Sequence, residues 1–412
     1  MHRQQQVEYQ CPGEKVPISR AVHLGRLTRC FPVCRQCPHH LDTAGLSARQ
    51  VKRLTETQCR GERRSLFHDE GVAGVYLNDF HPETAKDLAA AFGVYLQRAE
   101  VEAVQAPVVV IGGDGRPLTP EITAAVSEGI RWAGCHVIDI GQASAACLAF
   151  AIDQVQASGG ILAGNPSHLV QTVGLKFWAS GAQPLSAGPA LETVRGLFEA
   201  GTDRPTRRYG SLRRFQADIP YLASLAEQYH ALRPLRFILD TNCQPLLGYL
   251  EKLLRPVACE LLPCRTTSEQ VPAQIQADRV HFAARIDDDG QRLLLWDERG
   301  QRVDSESFLV LIARHLMADQ PGGTVVVEQD TSGPGRQALA RLGCQVIASD
   351  ARPEEMARSM GEHRARLGGG PSGRLWYGRV ADALQTLTHL LVLLSQSDRP
   401  LSQVLDATRP AG

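Results

Sequence analysis

The sequence predicts an α/β fold, and a repeated pattern along the chain indicates it. Three apolar segments, each typical of a buried strand, lie at Val108 to Ile111, Arg236 to Leu239 and Thr324 to Val327. Each is followed by a polar or glycine-containing turn, an amphipathic helix and a second strand, which favours α/β domains with largely parallel or mixed sheets. We therefore expect three consecutive α/β domains after a small cysteine-rich head, with limits at residues 1–62, 63–205, 206–320 and 321–412.

The first module shows the pattern most clearly. Thr119 is placed to cap a helix, and Pro120 occupies its first turn, where a missing N–H costs nothing. Gly134 ends this helix, and the strand His136 to Ile140 follows. The helix presents one apolar face, formed by Ile122, Ala125, Val126 and Ile130.

The second and third modules repeat the alternation. The second predicted helix is Pro245 to Leu254, and the third is Arg336 to Leu342. After the third helix comes the strand Gln345 to Ala348. Arginine-, glycine- and proline-containing stretches at residues 201–214 and 320–323 are the candidate boundaries between modules.

An acidic segment, Asp287 to Arg292, lies between two apolar runs, Val280 to Ala284 and Leu293 to Trp296. It is therefore predicted to form a tight turn between two buried strands. Its carboxylates are two residues apart and can converge on a hard cation such as Mg²⁺. A solvated aspartate–glycine hairpin turn explains the same spacing, so both interpretations stay open on the spacing alone.

The overall composition is that of a globular protein. The counts of Lys+Arg and of Asp+Glu are equal at 44 each, so no net charge favours nucleic acid or an anionic membrane. The longest apolar stretches, such as Leu390 to Leu394, are too short to span a bilayer, and the N-terminus lacks the apolar core of a signal peptide. We expect a cytoplasmic protein without a membrane partner.

Five of the 11 cysteines lie before residue 60. Without an export signal, this clustering favours metal ligation over disulfides. Cys30, Cys34 and Cys37 bring three thiolates close together, and Cys11 or a histidine would complete a tetrahedral Zn²⁺ site. An iron–sulfur cluster with one open iron and a set of reduced, unliganded thiols are the alternatives.

Five motifs in the chain, in this order, resemble those of the α-D-phosphohexomutases, the phosphoglucomutase/phosphomannomutase family. Residues 65–74 resemble the opening motif F-G-T-x-G-x-R-G, and residues 111–117 resemble G-R-D-T-R-P. Residues 159–168 resemble the phosphoserine loop, with the family's G-x-K at Gly174 to Lys176. The acidic segment resembles the metal loop D-G-D-x-D-R, and residues 367–374 resemble the sugar loop G-E-x-S-G-H.

The resemblance implies a phosphoserine enzyme that exchanges phosphoryl groups with a hexose phosphate, with Mg²⁺ and cationic side chains neutralising charge. It implies catalytic roles for Ser167, His168, Lys176 and Arg116. It implies Mg²⁺ ligands at Asp287, Asp289 and Gln291. It implies substrate contacts at Arg292, Ser372, Gly373 and Arg374.

Several positions depart from the family pattern. A gap-free alignment places Pro166 at the nucleophile, and proline has no hydroxyl group; a slip of one residue restores Ser167 to that position. Ala73 replaces the arginine of the opening motif, and Gln291 replaces the third carboxylate. In the sugar loop, Gly370 stands at the glutamate and Arg374 at the histidine. We also expect the family's fourth domain, which the resemblance implies binds the distal phosphate, to be absent.

These departures fall on chemistry more than on scaffold, so we expect a phosphohexomutase-like protein without mutase activity that retains binding of a sugar phosphate or a protein partner. An active, divergent phosphotransferase using Ser167 and Mg²⁺ is the alternative. A third candidate is nucleic-acid or protein binding through the head, where Arg60, Arg63 and Arg64 lie near the cysteines; a solvated basic linker explains those arginines better.

Overall fold

The structure is a computed structural model that describes residues 8–11, 14–29, 33–34, 37–47, 49–51, 65–99, 105–164, 172–265, 270–318 and 322–406. The chain forms two compact units, residues 1–65 and 66–412. In the described part of the chain, no helix is both long enough and apolar enough to cross a bilayer.

The first unit, the cysteine-rich head, contains two short antiparallel strands and one helix, namely β1 (Glu8–Tyr9), β2 (Ile18–Ser19) and α1 (Arg20–Thr28). Its small core is formed by Tyr9, Cys11, Ile18 and Cys37. The ring of Tyr9 stacks on the imidazole of His23 with 4.2 Å between centroids. Packing of these side chains therefore organises the described part of the head.

The head gives no support to the predicted zinc site or to its iron–sulfur alternative. The Sγ atoms of Cys11 and Cys37 lie 3.8 Å apart, and Cys34 is half-buried, but the described residues contain no group of three metal-ligating side chains. Burial and the neighbouring Cys37 raise the pKa of Cys11 to about 11, so this thiol is protonated at neutral pH when no metal is bound. The fourth predicted ligand, Cys30, lies outside the described residues, as do the three arginines Arg60, Arg63 and Arg64.

The second unit begins with an eight-stranded mixed sheet in the order β10-β6-β5-β7-β8-β4-β3, with β9 on β8. The first four strands of this order are parallel, and β8, β4, β3 and β9 join by antiparallel pairing. The strands are β3 (Phe67–His68), β4 (Gly71–Val75), β5 (Val108–Gly113), β6 (His136–Gln142), β7 (Gly159–Gly164), β8 (Thr172–Ala179), β9 (Gln183–Leu185) and β10 (Leu212–Arg214). The accompanying helices are α2 (Pro82–Ala99), α3 (Thr119–Trp132), α4 (Ala145–Gln154), α5 (Pro189–Ala200) and α6 (Asp218–Ala226).

Helices cover both faces of this sheet. Along β5, Val109 and Ile111 pack with the apolar face of α3, whereas Val110 packs with α4 on the other side. Because side chains alternate across a strand, a buried parallel strand of this kind needs apolar residues at consecutive positions. The run of valines that predicted the strand is explained by this two-sided burial.

The second sheet has four strands in the order β12-β11-β13-β14, parallel except for the last pair. Its strands are β11 (Arg236–Thr241), β12 (Glu260–Pro263), β13 (Phe282–Ile286) and β14 (Leu293–Asp297). The helices α7 (Gln244–Leu254) and α8 (Val271–Asp278) connect them. The antiparallel pair β13–β14 is the hairpin that the acidic segment predicts.

The third sheet has five strands in the order β16-β15-β17-β18-β19. Its strands are β15 (Thr324–Glu328), β16 (Gln345–Ser349), β17 (Leu367–Gly369), β18 (Leu375–Tyr377) and β19 (Val380–Ala381). The helices around it are α9 (Ser305–Met317), α10 (Gly333–Arg341), α11 (Pro353–Glu362), α12 (Ala383–Ser395) and α13 (Leu401–Asp406). One continuous apolar core joins helices and strands from all three sheets, so the predicted α/β class with several mixed sheets is confirmed.

Candidate functional site

The acidic hairpin between β13 and β14 is a tight turn, as predicted. Gly290 lies at its tip with φ of 78°, a left-handed conformation that glycine adopts without strain. The Oδ1 atom of Asp287 accepts the backbone N–H groups of Gln291 at 2.7 Å and Arg292 at 2.9 Å. The first aspartate therefore shapes the turn and directs the side chains that follow it.

Two helices begin against the backbone of this turn. The N–H of Ala145, the first residue of α4, donates to the carbonyl oxygen of Asp289 at 2.9 Å. The N–H of Ala383, the first residue of α12, donates to the carbonyl oxygen of Gly290 at 3.0 Å. Helix N-termini carry partial positive charge, so both helices stabilise the acidic turn and join the first and third sheets to it.

Lys176, on β8, extends its ammonium into the hairpin. Its Nζ donates to the Oδ2 atom of Asp289, to Oε2 of Glu70 at 2.9 Å, and to Oε1 of Gln291 at 3.5 Å. The lysine and the aspartate are each only 8% exposed. Lys176 is therefore a buried residue inside β8 and not an exposed lysine.

Arg374, from the third sheet, reaches the same place. Its Nη2 atom donates to Oε2 of Glu70 at 2.7 Å, so one carboxylate oxygen bridges Lys176 and Arg374. The residues before the arginine are held to the hairpin, because Leu293 donates its N–H to the carbonyl oxygen of Gly373 at 3.0 Å. We call Glu70, Lys176, Asp289, Gln291 and Arg374 the central charge cluster.

The charges of the cluster stabilise one another in a buried setting. Burial alone would raise the pKa of Glu70, but Lys176 and Arg374 lower it to about 2. Burial likewise disfavours the charge of Asp289, yet the same two cations hold the pKa of that carboxyl below its ordinary range. Burial and the adjacent negative charge of Asp289 raise the pKa of Asp287 to about 7. The two aspartates thus differ in proton affinity because only Asp289 faces the lysine directly.

The hairpin carries oxygen donors of the kind that a magnesium ion prefers. Mg²⁺ prefers hard oxygen ligands, and Asp287, Asp289 and Gln291 offer two carboxylates and an amide oxygen. The Oδ1 atom of Asp289 is buried without a hydrogen-bond partner among the described residues, which leaves one oxygen free for a cation. When only histidine, cysteine, aspartate and glutamate are counted, the described residues contain no group of three that could hold a metal.

The loop at residues 370–374 is organised by a glutamate from the neighbouring strand. The N–H of Ser372 donates to Oε2 of Glu328 at 2.9 Å, and its hydroxyl donates to Oε1. A Cβ atom at Gly370 would lie only 2.7 Å from Cβ of Glu328. The side chain of Glu328 therefore fills the space beside Gly370, and Gly373 completes the turn with φ of 77°.

Arg116 does not belong to the central charge cluster. It links Asp114, which follows β5, to Thr172, the first residue of β8. Its Nε atom pairs with Oδ2 of Asp114 at 2.6 Å, and Nη1 donates to the carbonyl oxygen of Thr172 at 3.0 Å. The hydroxyl of Thr119 donates to Oδ1 of the same aspartate at 2.5 Å. The remaining Nη2 atom of Arg116 is buried without a hydrogen-bond partner among the described residues, and so is Nε of Arg292.

The predicted nucleophile Ser167, its neighbour His168 and Pro166 lie outside the described residues. The strands that flank them are described. Gly164 ends β7 against Asp114, where an added Cβ would approach Oδ2 of that aspartate to 2.9 Å. Thr172 begins β8, the strand that carries Lys176 into the hairpin.

Sequence reasoning missed Glu70 and Glu328. Glu70 lies in the opening motif, one residue before Gly71, but no local pattern links it to two cations that are 106 and 304 residues away. Glu328 ends β15, one residue beyond the predicted strand, at a position where polar side chains often reach a site. The sequence signal that could have identified Glu328 is an acidic residue at the carboxyl end of a predicted parallel strand.

Comparison with protein-family models gives two matches. Residues 64–201 match the phosphoglucomutase/phosphomannomutase α/β/α domain I, and residues 304–410 match domain III of the same family. Together the two matches cover more than half of the chain.

Curated proteins and solved structures agree with these matches. The chain is 23% identical to a phosphoglucomutase/phosphomannomutase of Thermococcus kodakarensis, over 83% of this chain and 79% of the relative. It is 26% identical to a phosphoglucosamine mutase of Symbiobacterium thermophilum, over 82% and 80%. A phosphoglucomutase/phosphomannomutase family protein of Burkholderia thailandensis has the same fold, with a TM-score of 0.75 and 20% identity over 84% of this chain and 80% of that one. The exocytosis-sensitive phosphoprotein parafusin of Paramecium has a TM-score of 0.65 with 14% identity over 83% and 73%.

Proposed function

Because the chain belongs to the α-D-phosphohexomutase family, we propose that it binds a hexose phosphate at the central charge cluster and has lost mutase turnover. The observation that carries the binding proposal is the convergence of Lys176 and Arg374 on one carboxylate oxygen of Glu70. Two buried cations that share an anionic oxygen are arranged as they would be around a phosphoryl oxygen.

The cluster would exchange one anion for another when a ligand binds. In the absence of ligand, Glu70 neutralises Lys176 and Arg374, so neither cation is buried without a counter-charge. A phosphate group presents several oxygens and more negative charge than a carboxylate, so it would compete with Glu70 for both cations. Arg374 would thereby supply positive charge in a site where Ala73 replaces the family's arginine.

The hairpin would hold Mg²⁺ through Asp287, Asp289 and Gln291, and a bound Mg²⁺ neutralises charge on phosphoryl oxygens. Lys176 would orient the phosphate from β8, while Arg374 would act from the loop of the third sheet. Burial of the cluster excludes water, which strengthens each of these charge interactions.

Loss of turnover is proposed from the sequence departures. Proline at position 166, glutamine at 291 and glycine at 370 remove groups that the family pattern uses for nucleophilic attack, metal ligation and sugar recognition. Each loss would raise the barrier for transfer more than it would weaken binding, because transfer needs all these groups positioned together.

The test measures binding and phosphoryl transfer on the same protein. Calorimetric titration with glucose 6-phosphate is expected to show saturable binding to the full chain. Binding should be lost in the Lys176→Met variant and retained in Lys252→Met, which changes an exposed lysine on α7. Equal binding by these two variants would overturn the proposed site.

Intact mass after incubation with glucose 1,6-bisphosphate and Mg²⁺ tests turnover. The expected result is no adduct. A mass increase of about 80 Da in the native chain that disappears in Ser167→Ala would instead establish the second candidate, an active phosphotransferase. The buried ion pair between Lys176 and Asp289 is the observation that favours this second candidate, since it keeps a lysine and a carboxylate of the family pattern together.

A further inference from the structure

A cavity of about 630 Å³ lies in the first sheet region, away from the central charge cluster. It is lined by the carboxyl ends of β5 and β6, by one face of α3 and by β10. Among the described residues that line it, none belongs to the central charge cluster. Its size is within the range of small-molecule sites in proteins.

The topology of the sheet explains why an opening forms at this place. Strands β5 and β6 are parallel neighbours, but the helix after β5 packs on one face of the sheet and the helix after β6 packs on the other. After β5 the chain turns to one face of the sheet, and after β6 it turns to the other face. A crevice therefore remains between the carboxyl ends of the two strands. Ligands bind in α/β proteins at such points because loops and a helix N-terminus converge on an open edge.

A buried polar group in the cavity lacks a partner. Ser127, on α3, is 8% exposed, and its hydroxyl has no hydrogen-bond partner among the described residues. It is one of the lining residues of the cavity. Since an unpaired buried hydroxyl is costly, this group is placed to hydrogen-bond a ligand or a water held in the cavity.

Two arginines and two acids carry the charges around the cavity. Glu128 pairs with Lys86 at 2.5 Å, whereas Asp139 accepts the N–H of Gly141 at 2.8 Å and keeps its charge opposite Arg214 in the register of β6 and β10. When Lys86 is counted with these four groups, one positive charge is in excess. The guanidinium of Arg131 packs over the ring of Tyr209 at 4.7 Å, and its Nε donates to the carbonyl oxygen of Gly210 at 3.0 Å. Arg214, exposed on β10, forms no ion pair within the described ranges of the chain.

The remaining lining is largely apolar. Ile111, Pro120, Ala124 and Leu212 contribute to it, together with the ring of Tyr209. Because side chains alternate along a strand, Leu212 and Arg214 line the cavity, whereas Arg213 between them does not. One wall therefore combines an apolar surface with a guanidinium group.

We propose that this cavity binds a small organic anion with an apolar body, one molecule per chain. The anionic group, a carboxylate, sulfonate or phosphate ester, is held by Arg131 and Arg214. The apolar body lies against α3 and Leu212, and the hydroxyl of Ser127 hydrogen-bonds a polar atom of the ligand. Cationic and strongly hydrophilic ligands are excluded by the two guanidinium groups and the apolar wall.

The probe for this proposal is 8-anilinonaphthalene-1-sulfonate, an anionic arene that fluoresces when it leaves water. The full native chain is expected to bind it saturably with one molecule per chain. Arg214→Gln should weaken binding by about tenfold, because a charge-assisted hydrogen bond is lost. Ala124→Trp, at an exposed position of α3, should abolish it by filling the mouth of the cavity.

Arg213→Gln is the matched control, since it removes the same charge one residue away on the opposite side of β10. Its affinity for the probe should equal that of the native chain. Equal weakening by Arg213→Gln and Arg214→Gln, or binding that survives Ala124→Trp, would overturn the proposal. A cooperative thermal transition in each variant confirms that the probe reports the folded protein.

Discussion

The ammonium of Lys176 donates a hydrogen bond to the carboxylate of Asp289, although 113 residues separate them along the chain. The lysine belongs to the first sheet and the aspartate to the hairpin of the second. Glu70 then links the lysine to Arg374 in the third sheet. Under the proposed function, stability and hexose phosphate binding depend on the same few charges.

Replacing Glu70 with glutamine is expected to change stability and binding in opposite directions. The variant leaves two buried cations without their shared counter-charge, so the free energy of unfolding should fall by about 3 kcal/mol. Affinity for glucose 6-phosphate should rise, because the internal competitor is gone. Chemical denaturation and calorimetric titration measure the two effects.

The matched control for that experiment is Glu199→Gln, which removes an exposed carboxylate paired with Arg195 on α5. Its unfolding free energy should change by less than about 1 kcal/mol. If Glu70→Gln behaved like this control in both measurements, the internal competition between Glu70 and phosphate would be refuted.

Gly174→Ala is expected to destabilise the protein by at least about 3 kcal/mol, because the new Cβ must push backbone strands apart. That atom would lie 1.8 Å from the carbonyl oxygen of Val72, on the strand that pairs with β8. Gly196→Ala, on an exposed face of α5 with no atom within 4 Å of the added Cβ, should stabilise by up to about 1 kcal/mol. Thermal denaturation of both variants compares the two, and similar melting temperatures would contradict the close approach of β4 and β8.

Gly370 and Glu328 should be coupled in a double-mutant cycle. Gly370→Ala forces its Cβ into the side chain of Glu328, at a cost of about 1–3 kcal/mol. In a Glu328→Ala background the space is empty, so the same substitution should cost little. Coupling of about 1 kcal/mol or more is expected from unfolding free energies. Strict additivity would show that Glu328 does not occupy the space beside Gly370.

His389 is expected to make the fold sensitive to acid. Burial and the neighbouring His315 lower the pKa of His389 to about 4, from an ordinary value of 6.5. Between these two values the unfolded chain binds a proton that the folded chain does not, so the free energy of unfolding falls as the pH falls from 6.5 to 4. The contribution of this group is roughly 3 kcal/mol.

His389→Phe keeps an aromatic ring beside Tyr377, whose ring centroid lies 5.2 Å away, and removes the titration. The difference in unfolding free energy between this variant and the native chain should therefore grow as the pH falls through that window. Denaturation curves at several pH values measure it. Parallel pH profiles would show that His389 is not buried in its neutral form.

Magnesium should stabilise the native chain through the hairpin. Millimolar Mg²⁺ is expected to raise the melting temperature, and Asp289→Asn should remove most of this effect because a charged ligand is lost. Asp278→Asn, which removes an aspartate paired with Arg265, serves as the control and should keep the magnesium response. An unchanged response in Asp289→Asn would place the metal elsewhere.

Much of the fold could be predicted from local patterns. The apolar runs predicted β5, β11 and β15 because a parallel strand buried on both faces needs consecutive apolar residues. The acidic segment marked its hairpin because apolar runs flank a glycine that tolerates positive φ. The cysteines of the head predicted its structure less well, since two of them, Cys11 and Cys37, pack in a small apolar core with Tyr9.

The candidate site was only partly predictable. Lys176, Asp289 and Arg374 were identified from motif resemblance, but the carboxylate that joins two of them was not. Glu70 follows no periodic pattern, and its importance depends on partners brought close by the order of strands in the first sheet. The same limit applies to Glu328, which matters only because Gly370 leaves room beside it.

The chain's own pattern of apolar and turn-forming residues determined where strands and helices lie, because that pattern acts over a few residues. The tertiary structure decided which charges meet, because a buried ion pair forms only where packing brings both partners out of water together. In this protein, packing brought a lysine and a glutamate of the first sheet, an aspartate of the second and an arginine of the third into one cluster.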